Sequence, residues 1–432
     1  MSHPQSPGPV GDQWTRRSIL ASGAVAAGTL LGIEHLTPRR VLAAAETNRL
    51  RVTDIDVHDI TVPYEDVIAD ELNHYYGPSR RTVYVVHTNS DLVGLGESGT
   101  REPDEVIEKY IGTSPFDWIG DENSLGLGIA MDDLMGKAAG VPVYKLFGQK
   151  YRSWVPVASW TVSTHPDRMA AAVEHYAARG FTWMKYHLSP FENVLDQMAA
   201  MQEVAPEGFR IHHDLTMHGA DDHMFELLEK ISQYRIAGCF EDPLPEKDIE
   251  GYRELRERCR LPILYHHMPL GGSFETQRRA ADGYILGHAK IGDAIRHAGL
   301  FGQLELPFSC QNVGGMITRT MTVHMQSVFK TAHLHFNSDQ ETWKDDVVHE
   351  RADPINGLLR VPEEPGLGLT LDHEALQRLK DLSLPEQPDW IIRTRYANGA
   401  PMYNLGDTQD PIFLVRPDRR RLATLKYDAA LT

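Results

Sequence analysis

Cysteine is scarce in this sequence. There are three in 432 residues, Cys239, Cys259 and Cys310, and none sits in a CxxC pair. A disulfide scaffold and a zinc knuckle are thereby excluded. Two of the three fall in short apolar runs, where a small hydrophobe suits the position. Positive charge is also short: 43 Lys and Arg stand against 60 Asp and Glu, for a net charge of -17. Such an acidic surface excludes nucleic acid and anionic membranes as partners. It does not exclude a small anionic substrate, because a local cation or metal reverses the field inside one pocket. Apolar runs long enough to span a bilayer are missing too.

The amino-terminal residues read as an address and not as part of a fold. Thr15-Arg16-Arg17-Ser18-Ile19-Leu20 opens an uncharged stretch to Ile33, and Ala43-Ala44-Ala45 precedes Glu46. Paired arginines before a mild apolar core, then small residues at a cleavage point, resemble a twin-arginine export signal. The expectation is an exported, periplasmic protein that has lost residues 1–45. The competing reading is a disordered tail with a chance arginine pair.

The remaining length suits two domains. From about Leu50 to Gly99 apolar residues alternate, as in Thr82-Val83-Tyr84-Val85-Val86-His87, with a turn at Asn89-Ser90-Asp91. This pattern predicts an antiparallel meander. Helical spacing follows, most clearly over Ile129 to Phe147. From Val155 onward short apolar runs alternate with amphipathic helices, at 166–179, 193–204, 224–233, 249–258 and near 275–282. Roughly eight such cycles predict a parallel sheet closed into a (β/α)₈ barrel, with chemistry at the carboxyl ends of its strands.

Gly94-Leu95-Gly96-Glu97-Ser98-Gly99 fits GxGxxG. The dinucleotide fingerprint needs a βαβ unit, however, and these glycines end an antiparallel meander, which favours a tight turn. Three strand ends in the barrel carry metal-ligand chemistry: Asp214 after Arg210-Ile211-His212-His213, Glu241 after Cys239-Phe240, and His267 after Tyr265-His266. One acidic residue after one strand commonly caps the next helix. Ligand-type residues on three successive strands converge at a barrel mouth. The two carboxylates suit Mg²⁺ or Mn²⁺.

The stretch Gly128 to Gly148, containing Met131-Asp132-Asp133-Leu134, looks like the segment joining cap to barrel in the mandelate racemase and muconate-lactonizing branch of the enolase superfamily. Phe240-Glu241-Asp242-Pro243 is similar to that family's fourth-strand motif, and Pro365-Gly366-Leu367-Gly368 to its closing segment. The resemblance runs from about Leu50 to Leu379. It implies an α/β fold, a modified TIM barrel with an amino-terminal α+β cap. The domains would be a cap over 46–150, a barrel over 151–360, and a closing segment with an extra tail over 361–432. It further implies a divalent metal, Mg²⁺ first, on the third to fifth strands. The substrate would be a small carboxylate whose α-proton is removed, and the assembly one of identical subunits.

The chain departs from the family's pattern in several places. His267 stands where the fifth strand usually offers Glu, which opens the site to Mn²⁺, Fe²⁺ or Zn²⁺. The second-strand Lys-x-Lys is Lys185-Tyr186-His187, so Lys185 would polarise the substrate and His187 would serve as base or as hydrogen-bonder. Lys290 is the sixth-strand candidate. Gln311 replaces the seventh-strand histidine of a His-Asp dyad, and Glu341, with Asp339 as an equal alternative, would bind the substrate carboxylate. His333-Leu334-His335 mimics a metal-binding HxH pair but lies near the eighth strand, not the first. The resulting expectation is dehydration of a hydroxy or sugar acid. The alternatives are a racemase or epimerase of the same superfamily, or a catalytically silent barrel that binds a metal and a sugar acid.

Overall fold

The computed structural model describes residues 49–189, 192–216, 224–245, 247–266, 268, 272–384, 390–396, 400–406 and 422–429. The export signal expected over 1–45 lies outside these residues, as does His267. Among the described residues no helix is long and apolar enough to cross a membrane.

Strands β1 (Val52–Val62), β2 (Ser79–Thr88) and β3 (Val93–Ser98) pair antiparallel in that order. β-branched and aromatic residues on β2 bury Val83, Tyr84, Val85 and Val86, and this density fixes the register, Val85 opposite Leu95. The connection between β1 and β2 contains a helix, Ala69–Tyr76.

Two of the three GxGxxG glycines are strand residues, and only Gly99 lies in the bend that follows. Gly94 and Gly96 lie inside β3, and a Cβ on Gly96 would stand 2.1 Å from the Gly126 carbonyl oxygen. Helix Leu125–Ala139 therefore packs backbone to backbone on the sheet. Ser124 caps that helix by accepting from Leu127 N, and Gly140 ends it with φ 66°. Within the helix, buried Asp133 accepts from Leu95 N at 3.0 Å, from Leu367 N at 2.8 Å and from Lys137 Nζ at 2.7 Å. One carboxylate thus ties together β3, the linking helix and the closing segment.

Beyond β4 (Trp154–Pro156), seven parallel strands follow in sequence order: β5 (Ser159–Val162), β6 (Trp183–His187), β7 (Arg210–Asp214), β8 (Ala237–Glu241), β9 (Ile263–His266), β10 (Gly283–Gly287) and β11 (Phe308–Gln311). Helices cross between them as the periodicity predicts, including Pro166–Ala178, Val194–Val204 and Ile249–Arg258. The eighth stave is not a regular strand. Phe308 N donates to Thr331 O, while Ala158 N donates to Phe336 O at 2.7 Å, so segment 331–336 bridges from β11 back to the first stave. β12 (Leu358–Arg360) pairs with β4. The tail, on which the sequence is silent, forms an antiparallel sheet in which β13 (Trp390–Tyr396) lies between β14 (Pro401–Gly406) and β15 (Leu422–Ala429). Cys239 and Cys310 are buried free thiols on β8 and β11.

Candidate active site and metal centre

In the parallel register His187 pairs with Asp214 and Asp214 with Glu241, so three functional side chains share one level at the carboxyl end of the barrel. Lys185, two residues before His187, points the same way. Its buried Nζ lies 3.0 Å from Asp214 Oδ2, 2.8 Å from Glu241 Oε2 and 3.2 Å from Gln311 Oε1. Burial alone would lower the pKa of this ammonium, but the two carboxylates outweigh burial and raise it. Glu241 is likewise held well below the usual carboxylate range. Burial opposes this, and Lys185, His212 and His266 overcome it. Asp214 also falls, against burial and Glu241, through Lys185 and His187.

His187 is pinned from two sides. Its Nε2 lies 3.2 Å from Asp214 Oδ2, and its Nδ1 lies 2.8 Å from the Tyr76 hydroxyl. Tyr76 ends the helix inserted between β1 and β2, so the antiparallel unit reaches into the barrel mouth. Trp160 abuts both rings, with centroids 5.6 Å from each.

These groups open into a cavity of about 710 Å³. Arg80, Arg81, His266 and His288 also line it, and the two guanidinium groups offer an anionic ligand partners opposite the acids Asp214, Asp242 and Asp339. Arg81 is fixed by Glu97 Oε1 at 2.9 Å and by the Val313 carbonyl at 2.7 Å. Asp339 lines the same space. Burial and Glu97 push its pKa up to about 6, against Arg81 and His187.

Lys185, His187, Asp214 and Glu241 come together, His187 and Asp214 lining the cavity with Lys185 and Glu241 buried beside them, and Lys290 and Glu341 do not line it. β10 ends at Gly287, and the residue it offers to the cavity is His288. Lys290 is two positions further on and serves as the N-cap of helix Ile291–Leu304. Glu341 is fully buried, accepting from Ser338 N at 2.9 Å and Ser338 Oγ at 2.8 Å, and the cavity position belongs to Asp339. His267, the expected fifth-strand ligand, lies outside the described residues. β9 ends at His266, whose Nδ1 lies 2.8 Å from Glu241 Oε1. Sequence reasoning missed His266 because two adjacent histidines leave the facing parity open. Arg81 and Tyr76 come from the antiparallel unit, where no strand-end rule reaches, and His288 directly follows the sixth strand, two positions before the expected Lys290. The HxH motif does not act as a pair. His333 is exposed, while His335 turns onto His212.

The donor set fits a divalent cation. Ligand atoms of Glu241, Asp242 and His266 lie within 4.8 Å of one another, with Asp214 beside Glu241 in the sheet register. Burial, Glu241 and Asp214 together raise the Asp242 carboxyl well above its ordinary value, a crowding of acids that a cation relieves. Oxygen donors with one imidazole suit Mg²⁺ or Mn²⁺.

A family model described as enolase C-terminal domain-like matches residues 168–375. The D-galactonate dehydratase of Pectobacterium atrosepticum is 25% identical over 300 residues, covering 64% of this chain and 77% of the dehydratase. The N-succinyl Arg/Lys racemase of Bacillus cereus superposes with a TM-score of 0.64 at 19% identity, over 77% of this chain and 98% of that one. A dipeptide epimerase from Cytophaga hutchinsonii, complexed with Mg and a dipeptide, superposes with a TM-score of 0.63 at 20% identity, over 76% and 98%. With antiparallel strands, a parallel barrel sheet and acids on successive strand ends, the chain shares the fold of these enzymes, and its residues 168–375 form an enolase C-terminal domain-like region of the mandelate racemase and muconate-lactonizing type.

Proposed function

We propose that this protein removes the α-proton of a small hydroxy or sugar acid and expels the β-hydroxyl, giving a 2-keto-3-deoxy acid. The observation that carries this reading is the fixing of His187 between Tyr76 and Asp214 in a cavity that also holds Arg80 and Arg81. A divalent metal held by Asp214, Glu241, Asp242 and His266 would neutralise the substrate carboxylate and the charge that grows on it as the proton leaves.

The chain's own groups divide the remaining work. Asp214 accepts from His187 Nε2–H, which leaves the lone pair on Nδ1. A substrate α-carbon displacing the Tyr76 hydroxyl meets that lone pair, and the resulting imidazolium is stabilised by Asp214. Lys185 carries positive charge at the floor of the site and orients the carboxylates around it. Asp339, with its pKa pushed up to about 6, keeps a proton available near neutrality for the departing hydroxyl, which leaves as water. The D-galactonate dehydratase likeness supports a sugar acid as substrate.

A second reading is epimerisation. It requires a proton donor on the opposite face. His288 follows the sixth strand and His187 ends the second, staves that face each other in an eight-membered ring. The metal-loaded protein, incubated in D₂O with a pool of hydroxy and sugar acids, separates these outcomes by NMR. A keto product with deuterium at C3 supports dehydration. Inverted, deuterated substrate without keto product supports epimerisation. No exchange with Mg²⁺, Mn²⁺ or Zn²⁺ would leave the silent binding barrel.

A further inference from the structure

One layer below the acids, the barrel interior holds two imidazoles and a thiol that the reaction does not use. His212 precedes Asp214 by two positions on β7, and Cys239 precedes Glu241 by two on β8. That spacing turns both side chains to the same inner face as the acids above. His335 comes from the irregular eighth stave. Ligand atoms of His212, Cys239 and His335 all lie within 4.8 Å of one another. His212 and Cys239 are buried and His335 is half-buried.

The hydrogen bonding prepares this cluster for a cation. His212 Nε2 lies 2.7 Å from Glu241 Oε2, off the line of a hydrogen bond, and the charge of the adjacent carboxylate favours the ring hydrogen on that nitrogen. The lone pair of His212 is then on Nδ1, which faces His335 Nε2 at 2.9 Å. The His335 hydrogen fills the gap between the two nitrogens. A carboxylate behind the far nitrogen of a histidine is the arrangement that orients metal-binding imidazoles. Trp183 stacks on His335, with centroids 4.3 Å apart and planes at 25°, and so holds the second ring.

We propose that His212 Nδ1, His335 Nε2 and Cys239 Sγ form a second cation site, separate from the acidic centre above it. Two nitrogens and a sulfur, without oxygen, select a borderline or soft ion of the Zn²⁺ class and reject Mg²⁺. On binding, the His335 ring hydrogen moves to Nδ1 and the Cys239 thiol gives its proton to solvent. One proton leaves per ion, and no electron transfer is involved. Water would complete the four ligands of such an ion. The two layers then sort metals by donor chemistry, and the Glu241–His212 contact joins them.

Co²⁺ tests this without reference to turnover. The full chain, with its acidic centre filled by excess Mg²⁺, is titrated with Co²⁺ and followed by absorbance. A thiolate-to-cobalt charge-transfer band in the near ultraviolet, saturating at one equivalent, is expected. It reports this site alone, since the acidic centre has no sulfur. The band should vanish in Cys239→Ser, and His335→Gln should weaken Co²⁺ binding about tenfold or more, with circular dichroism confirming the fold of each variant. A folded wild-type protein that shows no band at saturating Co²⁺ overturns the site. So does a band that survives in Cys239→Ser, which would trace it to Cys259 or Cys310. Because the resting protein is read, failure of α-proton exchange leaves this result untouched.

Discussion

The Tyr76 hydroxyl stands 2.8 Å from His187 Nδ1, joining a helix of the antiparallel unit to the second strand of the barrel. The substrate must displace this hydroxyl before Nδ1 can take a proton, and a neutral hydrogen bond of this kind is worth about 0.5–1.5 kcal/mol. Tyr76→Phe should therefore speed α-deuterium exchange about twofold to tenfold, with circular dichroism unchanged. An unaltered exchange rate would remove Tyr76 from the reaction.

His187→Asn is expected to lower exchange by about 10²–10⁴-fold, the usual contribution of a positioned base. Metal affinity, measured by Mn²⁺ titration, should be retained. A variant that exchanges at the wild-type rate would assign the base to another group.

Lys185 neutralises two buried acids at once. Replacing one partner of a buried ion pair costs about 3–5 kcal/mol, because it strands the other charge. Lys185→Met should show a loss of that order by urea unfolding in metal-free buffer. Added Mg²⁺ should restore part of it, since the cation takes over the neutralising role. A loss that ignores Mg²⁺ would contradict the shared site.

His266 and His267 are adjacent, and only one suits the fifth-strand metal position. His266 Nδ1 lies 2.8 Å from Glu241. His266→Ala should weaken Mn²⁺ binding about tenfold or more, the scale on which groups around a metal act, and the effect should exceed that of His267→Ala. The reverse order would restore His267 as the ligand.

Glu341 titrates in the opposite sense to a salt-bridged acid. Burial lifts its pKa from 4.5 to about 7, although Arg319 and Ser338 oppose the rise. The folded chain thus holds this proton more tightly than the unfolded chain. The associated stability is complete below about pH 4.5 and is lost as pH rises through about 7, a change on the order of 3 kcal/mol. Denaturation at pH 5 and pH 8 should show this slope, and Glu341→Gln should flatten it.

The barrel was legible because strand-helix alternation and strand-end acids are local signals. Asp214 and Glu241 end their strands where the apolar runs stop, and Lys185 and His187 share their parity. Positions fixed by contacts across the fold were not legible. Gly94 and Gly96 resemble turn residues until helix Leu125–Ala139 is seen against them. Glu341 and Asp339 differ by two positions, and a short 3₁₀ turn at Gln340–Thr342 decides which one faces the cavity. The eighth stave has no strand periodicity to read, because its partners bond it only at scattered points.

Asp133 also constrains the timing of folding. It accepts from Leu95, 38 positions before it, and from Leu367, 234 positions after it. On a ribosome the first sheet emerges early, but the last bond at its supporting helix must wait until the barrel and the closing segment have been synthesised. The early sheet is therefore provisional during translation, and chains that stop short of Leu367 should leave it open to proteolysis even where the barrel strands are intact.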